Sequence, residues 1–265
     1  LNTPTSGQVK IRAGYYPESA DFKGNILYFE GLGDSMLNHD PLFSQLSDEG
    51  YRVIAFDYMG QGGSAGKMND TRIKEIPLLG DAVWKKYARE LERFPSKTII
   101  GWSTGGLAAY YEAHQENADQ VVLIAPGIAP NKVVGEQDVW NLKFNQITLE
   151  SLTTARYPHD GVNPHRDRVR PSSPLQVPLF ALNLLSVACE SRSWSISKNV
   201  RGFVLLSGSN DTYVNARLTR RVLKGAASHF MVKTYARALH EIDNEAPEIS
   251  EQARKDIVAF IKNLN

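Results

Sequence analysis

Hydrophobic and polar positions along this chain alternate between two habits. Short continuous apolar runs, rich in Val, Ile and Phe, occupy residues 25–29, 51–56, 98–100, 120–124, 202–206 and 230–235. Runs of that length, bounded by turn residues, predict buried strands. Between them apolar residues recur at helical spacing over 41–46, 76–92, 107–115, 216–227 and 246–264. Strand and helix therefore take turns, which predicts an α/β chain with a mostly parallel central sheet flanked by crossover helices.

The rhythm fails once. Residues 125–199 contain no clean strand and carry prolines at 126, 130, 158, 164, 171, 174 and 178. A connection that long far exceeds the few residues usual between α/β elements, so it predicts a small subdomain over one face of the sheet. The expected organisation is a core of residues 1–127 and 200–265 with an inserted cap at 128–199. Within the cap, 179–188 reads as a short apolar helix. Its Phe180, Leu182, Leu184, Leu185 and Val187 exceed what one packed face requires, which makes Leu184 and Leu185 candidates for lining a substrate pocket.

Composition removes several classes of function. The 265 residues are 42% apolar and 22% charged, ordinary for a globular chain able to bury a large core. Thirty basic minus 29 acidic residues leaves +1, with the basic residues scattered, so no nucleic-acid footprint is present. The single cysteine, Cys189, excludes an internal disulfide and a cysteine-cluster metal site. The longest apolar stretch, 177–189, is interrupted by Pro178, Asn183 and Ser186 and is too short for about 30 Å of hydrocarbon, so no integral membrane segment is expected. The chain starts at Leu1, without a methionine, which leaves both a processed N-terminus and the compartment open. Oligomeric state is equally open.

In an open parallel sheet, chemistry gathers in the loops leaving the carboxyl ends of strands. The run 98–100 leads into Gly101-Trp102-Ser103-Thr104-Gly105-Gly106 and then a helical pattern. This G-x-S-x-G turn between strand and helix is the setting in which a serine hydroxyl is projected as a nucleophile. A serine hydroxyl needs a base, and the base an acid. Asp211 follows the strand at 202–206, and His240 follows the strand at 230–235, both at carboxyl ends. Ser103, Asp211 and His240 thus stand in the order that hydrolases of this strand–turn–helix type use. His229 precedes its strand and reads as a surface residue; His39 and His114 show no carboxylate placed to orient them. No acid lies in 125–135 to replace Asp211. An oxyanion requires preorganised donors. Those expected are the backbone N–H of Thr104, directly after the nucleophile, and of Leu32, in the turn Glu30-Gly31-Leu32-Gly33. Gly60-Gln61-Gly62 matches a dinucleotide fingerprint only formally, since no helix follows it to receive a pyrophosphate, and no nucleotide or other cofactor is expected.

Taken together, these motifs resemble the monoacylglycerol lipase and lysophospholipase branch of the α/β-hydrolase superfamily over nearly the whole chain. The corresponding stretches are Glu30-Gly31-Leu32-Gly33, Gly60-Gln61-Gly62-Gly63-Ser64, Gly101 to Gly106, and His240-Glu241-Ile242-Asp243-Asn244-Glu245. The resemblance implies an α/β-hydrolase fold with a helical cap inserted after the family's sixth strand, here the run ending at Ile124. It also implies a Ser-His-Asp triad working without cofactor or metal on a small-molecule ester or lipid. Glu30, Trp102 and Thr104 stand where the family usually carries His, His and Met. The first two become pocket candidates, Glu30 either as a structural acid or in direct contact with substrate. Thioesterase, amidase or peptidase activity would use the same triad, and a ligand-binding protein on a hydrolase scaffold is the non-enzymatic alternative. In the expected cap, His159, Asp160, His165 and Asp167 are read as turn chemistry rather than a metal site, and Arg166, Arg168 and Arg170 as a solvated basic loop.

Overall fold

Side chains alternate across a strand, so a strand buried on both faces feeds two cores at once. The sheet of this protein is built on that principle. The computed structural model of the chain describes residues 2–3, 7–131 and 178–263. Seven strands form one sheet: β1 (Ala13–Tyr16), β2 (Gly24–Phe29), β3 (Tyr51–Phe56), β4 (Thr98–Trp102), β5 (Gln120–Ile124), β6 (Arg201–Ser207) and β7 (Met231–Tyr235). Their spatial order is β1-β3-β2-β4-β5-β6-β7; β1 runs antiparallel to β3 and all other neighbours are parallel. Residues 2–3 and 7–8 pair antiparallel as a separate two-stranded sheet.

The helices are α1 (Asp40–Asp48), α2 (Ile76–Tyr87), α3 (Thr104–His114), α4 (Pro178–Glu190), α5 (Ala216–Ala226) and α6 (Pro247–Lys262). Leu27, Phe29, Ile54, Ile99, Val121 and Leu123 face α2, α3 and α5 in one buried cluster. Their neighbours Ile26, Tyr28, Val53, Ile100, Val122 and Ile124 face α1 and α6 in the other. Among the described residues, no helix is long and apolar enough to cross a membrane.

Several elements differ from the sequence expectation. The helix expected to reach residue 92 stops at Tyr87, because the Asn25 side chain captures the backbone of Arg89, donating to its carbonyl at 2.8 Å and accepting from its N–H at 3.1 Å. Strand β4 runs on through Gly101 and Trp102, which pair with Leu123 and Ile124. Strand β1, Ala13-Gly14-Tyr15-Tyr16, is short and only partly buried, so no continuous apolar run marks it in the sequence. Helix α3 begins at Thr104 rather than residue 107, directly behind the nucleophile candidate.

The chain leaves the sheet at Ile124 and returns at Arg201. Residues 132–177 lie outside the described residues, and with them His159, Asp160, His165, Arg166, Asp167, Arg168 and Arg170. The described ends of this segment pack on the core. Phe180, Val187, Ala188, Trp194 and Ile196 are buried in the cluster of α2 and α3. Asn69 Oδ1 accepts from the Leu179 and Phe180 N–H groups at 3.2 and 3.4 Å, and Asn183 Oδ1 accepts from Ile73 N–H at 2.9 Å, so α4 is fixed at both its start and its middle.

Candidate active site

Ser103 sits between the end of β4 and the first turn of α3 with φ 53° and ψ −113°. A non-glycine residue at positive φ costs energy and persists only where its surroundings over-determine it. Here its N–H donates to the Ile124 carbonyl at 2.9 Å, while its carbonyl accepts from Gly127 N–H at 2.8 Å and Leu107 N–H at 3.1 Å. The turn also demands close packing: a Cβ on Gly105 would lie 2.2 Å from the Phe29 carbonyl oxygen.

The three residues read from sequence meet in one line. Ser103 Oγ is 2.7 Å from His240 Nε2, and His240 Nδ1 is 2.9 Å from Asp211 Oδ2. The other carboxylate oxygen of Asp211 accepts from Tyr213 N–H at 2.8 Å and Val214 N–H at 3.0 Å. Burial opposes charge on Asp211, but the His240 imidazole and these two backbone donors outweigh it and hold the carboxyl below the usual carboxylate range. The Asp211 turn is itself anchored: Pro130 bridges to Val214, Asn131 N–H donates to the Tyr213 carbonyl at 2.7 Å, and Asn215 N–H donates to the Ala129 carbonyl at 2.8 Å.

The loop carrying His240 is held from three sides. Trp102 Nε1 donates to the His240 carbonyl at 3.1 Å, and its ring lies 5.4 Å from the imidazole. Ser207 Oγ donates to the Leu239 carbonyl. Glu245 accepts from the N–H groups of Leu239 and Ala246, both at 2.9 Å. The imidazole also lies 5.0 Å from the Tyr213 ring.

Thr104 N–H stands at the first turn of α3, where no intrahelical acceptor exists. Leu32 lies in the turn after β2. Glu30 is fully buried: Oε1 accepts from Tyr58 N–H at 3.0 Å and from the Gln61 amide at 2.7 Å, while among the described residues Oε2 has no partner. Burial, with Asp57 and Asp34 nearby, raises its carboxyl well above the usual range. Of the remaining pocket candidates, Trp102 is 3% exposed, and Leu184 and Leu185 are half-buried on α4, with Leu184 against Gly127.

His39 departs from its expected reading. It is fully buried, with Nε2 2.6 Å from Asp34 and Nδ1 2.8 Å from Asp243, and its ring lies 5.5 Å from Trp102. Asp34, five positions before it, was visible in the sequence; Asp243 is brought there by the fold from beyond β7. Gln61 and Tyr58, which contact the loop around Leu32, carry no sequence signal for it, because they lie in a separate glycine-rich turn 28 residues away that only the fold brings alongside. His229 is exposed, as read from its position before β7.

A family model described as alpha/beta hydrolase fold matches residues 24–217. The chain belongs to the α/β-hydrolase fold family. Similar solved structures agree with that membership. The Paleococcus ferrophilus monoacylglycerol lipase superposes with a TM-score of 0.63 at 21% identity, covering 95% of this chain and 98% of that one. A thermostable carboxyl esterase from Bacillus coagulans gives 0.71 at 15% identity, covering 99% and 97%. A soluble variant of the Saccharomyces cerevisiae monoglyceride lipase gives 0.69 at 15% identity, covering 98% of each. At such identities the shared property is the fold. No curated protein sequence matches this chain.

Proposed function

We propose that this protein is a serine hydrolase that cleaves carboxylic esters, resembling the monoacylglycerol lipases and lysophospholipases, with Ser103, His240 and Asp211 as its triad. The observation that carries the reading is the hydrogen-bonded line from Ser103 Oγ through His240 to Asp211. In this mechanism Ser103 Oγ attacks the ester carbonyl as its proton passes to His240 Nε2. Negative charge collects on the former carbonyl oxygen, which Thr104 and Leu32 N–H would receive. Collapse breaks the bond to the alcohol, which leaves with the proton from His240. Water then adds to the acyl-enzyme through the same base and releases the carboxylic acid. Asp211, held ionised, keeps the imidazole oriented and stabilises its cation. The apolar residues of α4, with half-buried Leu184 and Leu185, favour an acyl chain over a small polar acid.

The test is covalent labelling by a fluorophosphonate together with hydrolysis of esters of graded acyl length. The wild-type protein is expected to label and to prefer medium or long chains. Ser103→Ala should lose labelling and at least about three orders of magnitude in kcat while remaining folded. Labelling that persists in folded Ser103→Ala would remove Ser103 from this role, and a labelled enzyme that hydrolyses only thioesters or amides would change the substrate class.

A further inference from the structure

Gln61 is 1% exposed, and while its backbone bonds close its own turn, with Tyr58 and Ser64, its side chain reaches elsewhere. Its side-chain amide addresses one four-residue turn. Oε1 accepts from Gly33 N–H at 2.7 Å, and Nε2 donates to the Gly31 carbonyl at 3.1 Å and to Glu30 Oε1 at 2.7 Å. Leu32 is the residue between those contacts. Tyr58 completes the grip: its N–H donates to Glu30 Oε1 at 3.0 Å, and its hydroxyl donates to the Glu30 carbonyl at 2.7 Å. The turn after β2 is thus held by five hydrogen bonds from residues 58–61, four of them buried, where an unmade bond is costly, and the fifth, to Gly33 N–H, partly buried. A short polar turn at the end of a strand needs no such clamp merely to exist. It needs one if the direction of a particular N–H matters, because a donor aimed at developing charge acts only when fixed beforehand.

We propose that Gln61 is a positioning residue for the oxyanion loop. Resting on Glu30 Oε1, it fixes the peptide planes on either side of Leu32 so that Leu32 N–H converges with Thr104 N–H. Gln61 touches no reacting atom and acts through the backbone of Gly31 and Gly33. The inference rests on the serine-hydrolase reading, in which Leu32 supplies a donor. Glu30 is the natural foot for this clamp because its Oε1 accepts from both Gln61 and Tyr58, and a neutral glutamine could do the same.

The experiment compares the wild type with Gln61→Ala, Gln61→Met, Glu30→Ala and Glu30→Gln. It measures kcat and KM on one ester, affinity for a trifluoromethyl ketone that forms a tetrahedral oxyanion adduct, and thermal unfolding. In Gln61→Ala, kcat should fall by about 30–100-fold with KM within threefold, since misplacing a catalytic contact by an ångström costs about a hundredfold. Ketone affinity should fall by the same factor as kcat/KM. Gln61→Met keeps the side-chain volume without the donors and should behave alike, which separates positioning from a packing defect if Gln61→Ala does not fold. Glu30→Ala should show the same loss, and Glu30→Gln should recover to within about threefold of wild type. A folded Gln61→Met protein with wild-type kcat and ketone affinity would overturn the proposal. So would variants whose ketone affinity holds while thermal stability alone drops. If the wild type itself neither hydrolyses esters nor reacts with fluorophosphonate, the reading beneath fails instead, and the two failures are distinct.

Discussion

The backbone of Ser103 is held at φ 53° by three hydrogen bonds, so its hydroxyl is aimed by main chain. The hydroxyl then meets His240, whose ring is located by Asp211 on one nitrogen and by Trp102 beneath its carbonyl. Asp211 in turn is located by two backbone N–H groups, so each member of the line is set by the next. The division of labour predicts an asymmetric effect for Asp211→Asn. An asparagine can still accept from Tyr213 and Val214 N–H, which preserves the turn. It presents an amide to Nδ1 and favours the wrong imidazole tautomer, while removing the charge that stabilises the cation. The expected outcome in steady-state kinetics is a loss of several orders of magnitude in kcat with KM changed by no more than about threefold. If kcat is retained, another acid orients His240.

At the scale of elements, the six main strand runs and the core helices were legible because Val, Ile and Leu mark them directly, and the loops that follow three of those strands brought Ser103, Asp211 and His240 together. What could not be read was set by contacts distant in sequence. Asn25 ends α2 from 64 residues away, and Asp243 reaches His39 across 204. Gln61 looked like punctuation in a glycine turn until its partners in 30–33 were beside it. Close approach of elements predicts which glycines matter. At Gly105, a Cβ would press 2.2 and 2.5 Å from the carbonyl oxygens of Phe29 and Glu30, at the junction of β2 and the oxyanion loop. Gly105→Ala should therefore destabilise by at least about 1–3 kcal/mol and lower kcat by displacing that loop. At Gly225, in α5, a Cβ would meet nothing within 4 Å. Gly225→Ala should raise stability by up to about 1 kcal/mol and leave kcat unchanged. Thermal unfolding and ester kinetics on the two variants check the contrast, and equal effects would refute it.

For the whole molecule, two fully buried groups with raised values, His39 and Glu30, make the fold weaken as pH rises. Both ring nitrogens of His39 face carboxylates, so both carry protons and the ring is a cation joining the turn at 34–39 to the segment after β7. Burial opposes that charge, but Asp243 and Asp34 outweigh it and hold the ring protonated well above the usual histidine range. Around the ring stand Asn244, Tyr28, Phe43 and Trp102, none of them a competing cation. An unfolded histidine titrates near about 6.5, so the His39 contribution is whole below that pH and is lost as pH rises through the higher folded value. Glu30 works in the same direction lower down. An unfolded glutamate releases its proton near about 4.3 while the folded one keeps it, so stability falls with rising pH from there to the raised folded value. Asp211 opposes them only in acid, since its depressed value contributes above about 3.9 and is lost as pH drops through the folded value. Thermal unfolding from pH 5 to 9.5 should therefore show stability highest on the acid side of neutrality and declining toward alkali. His39→Gln removes one member of a buried ion cluster and should cost about 3–5 kcal/mol near neutrality while flattening the decline above pH 6.5. Glu30→Gln should flatten the decline below neutrality without that cost. Stability that rises steadily from pH 7 to 9, or a His39→Gln protein whose curve parallels the wild type, would show that neither buried proton governs the folded state.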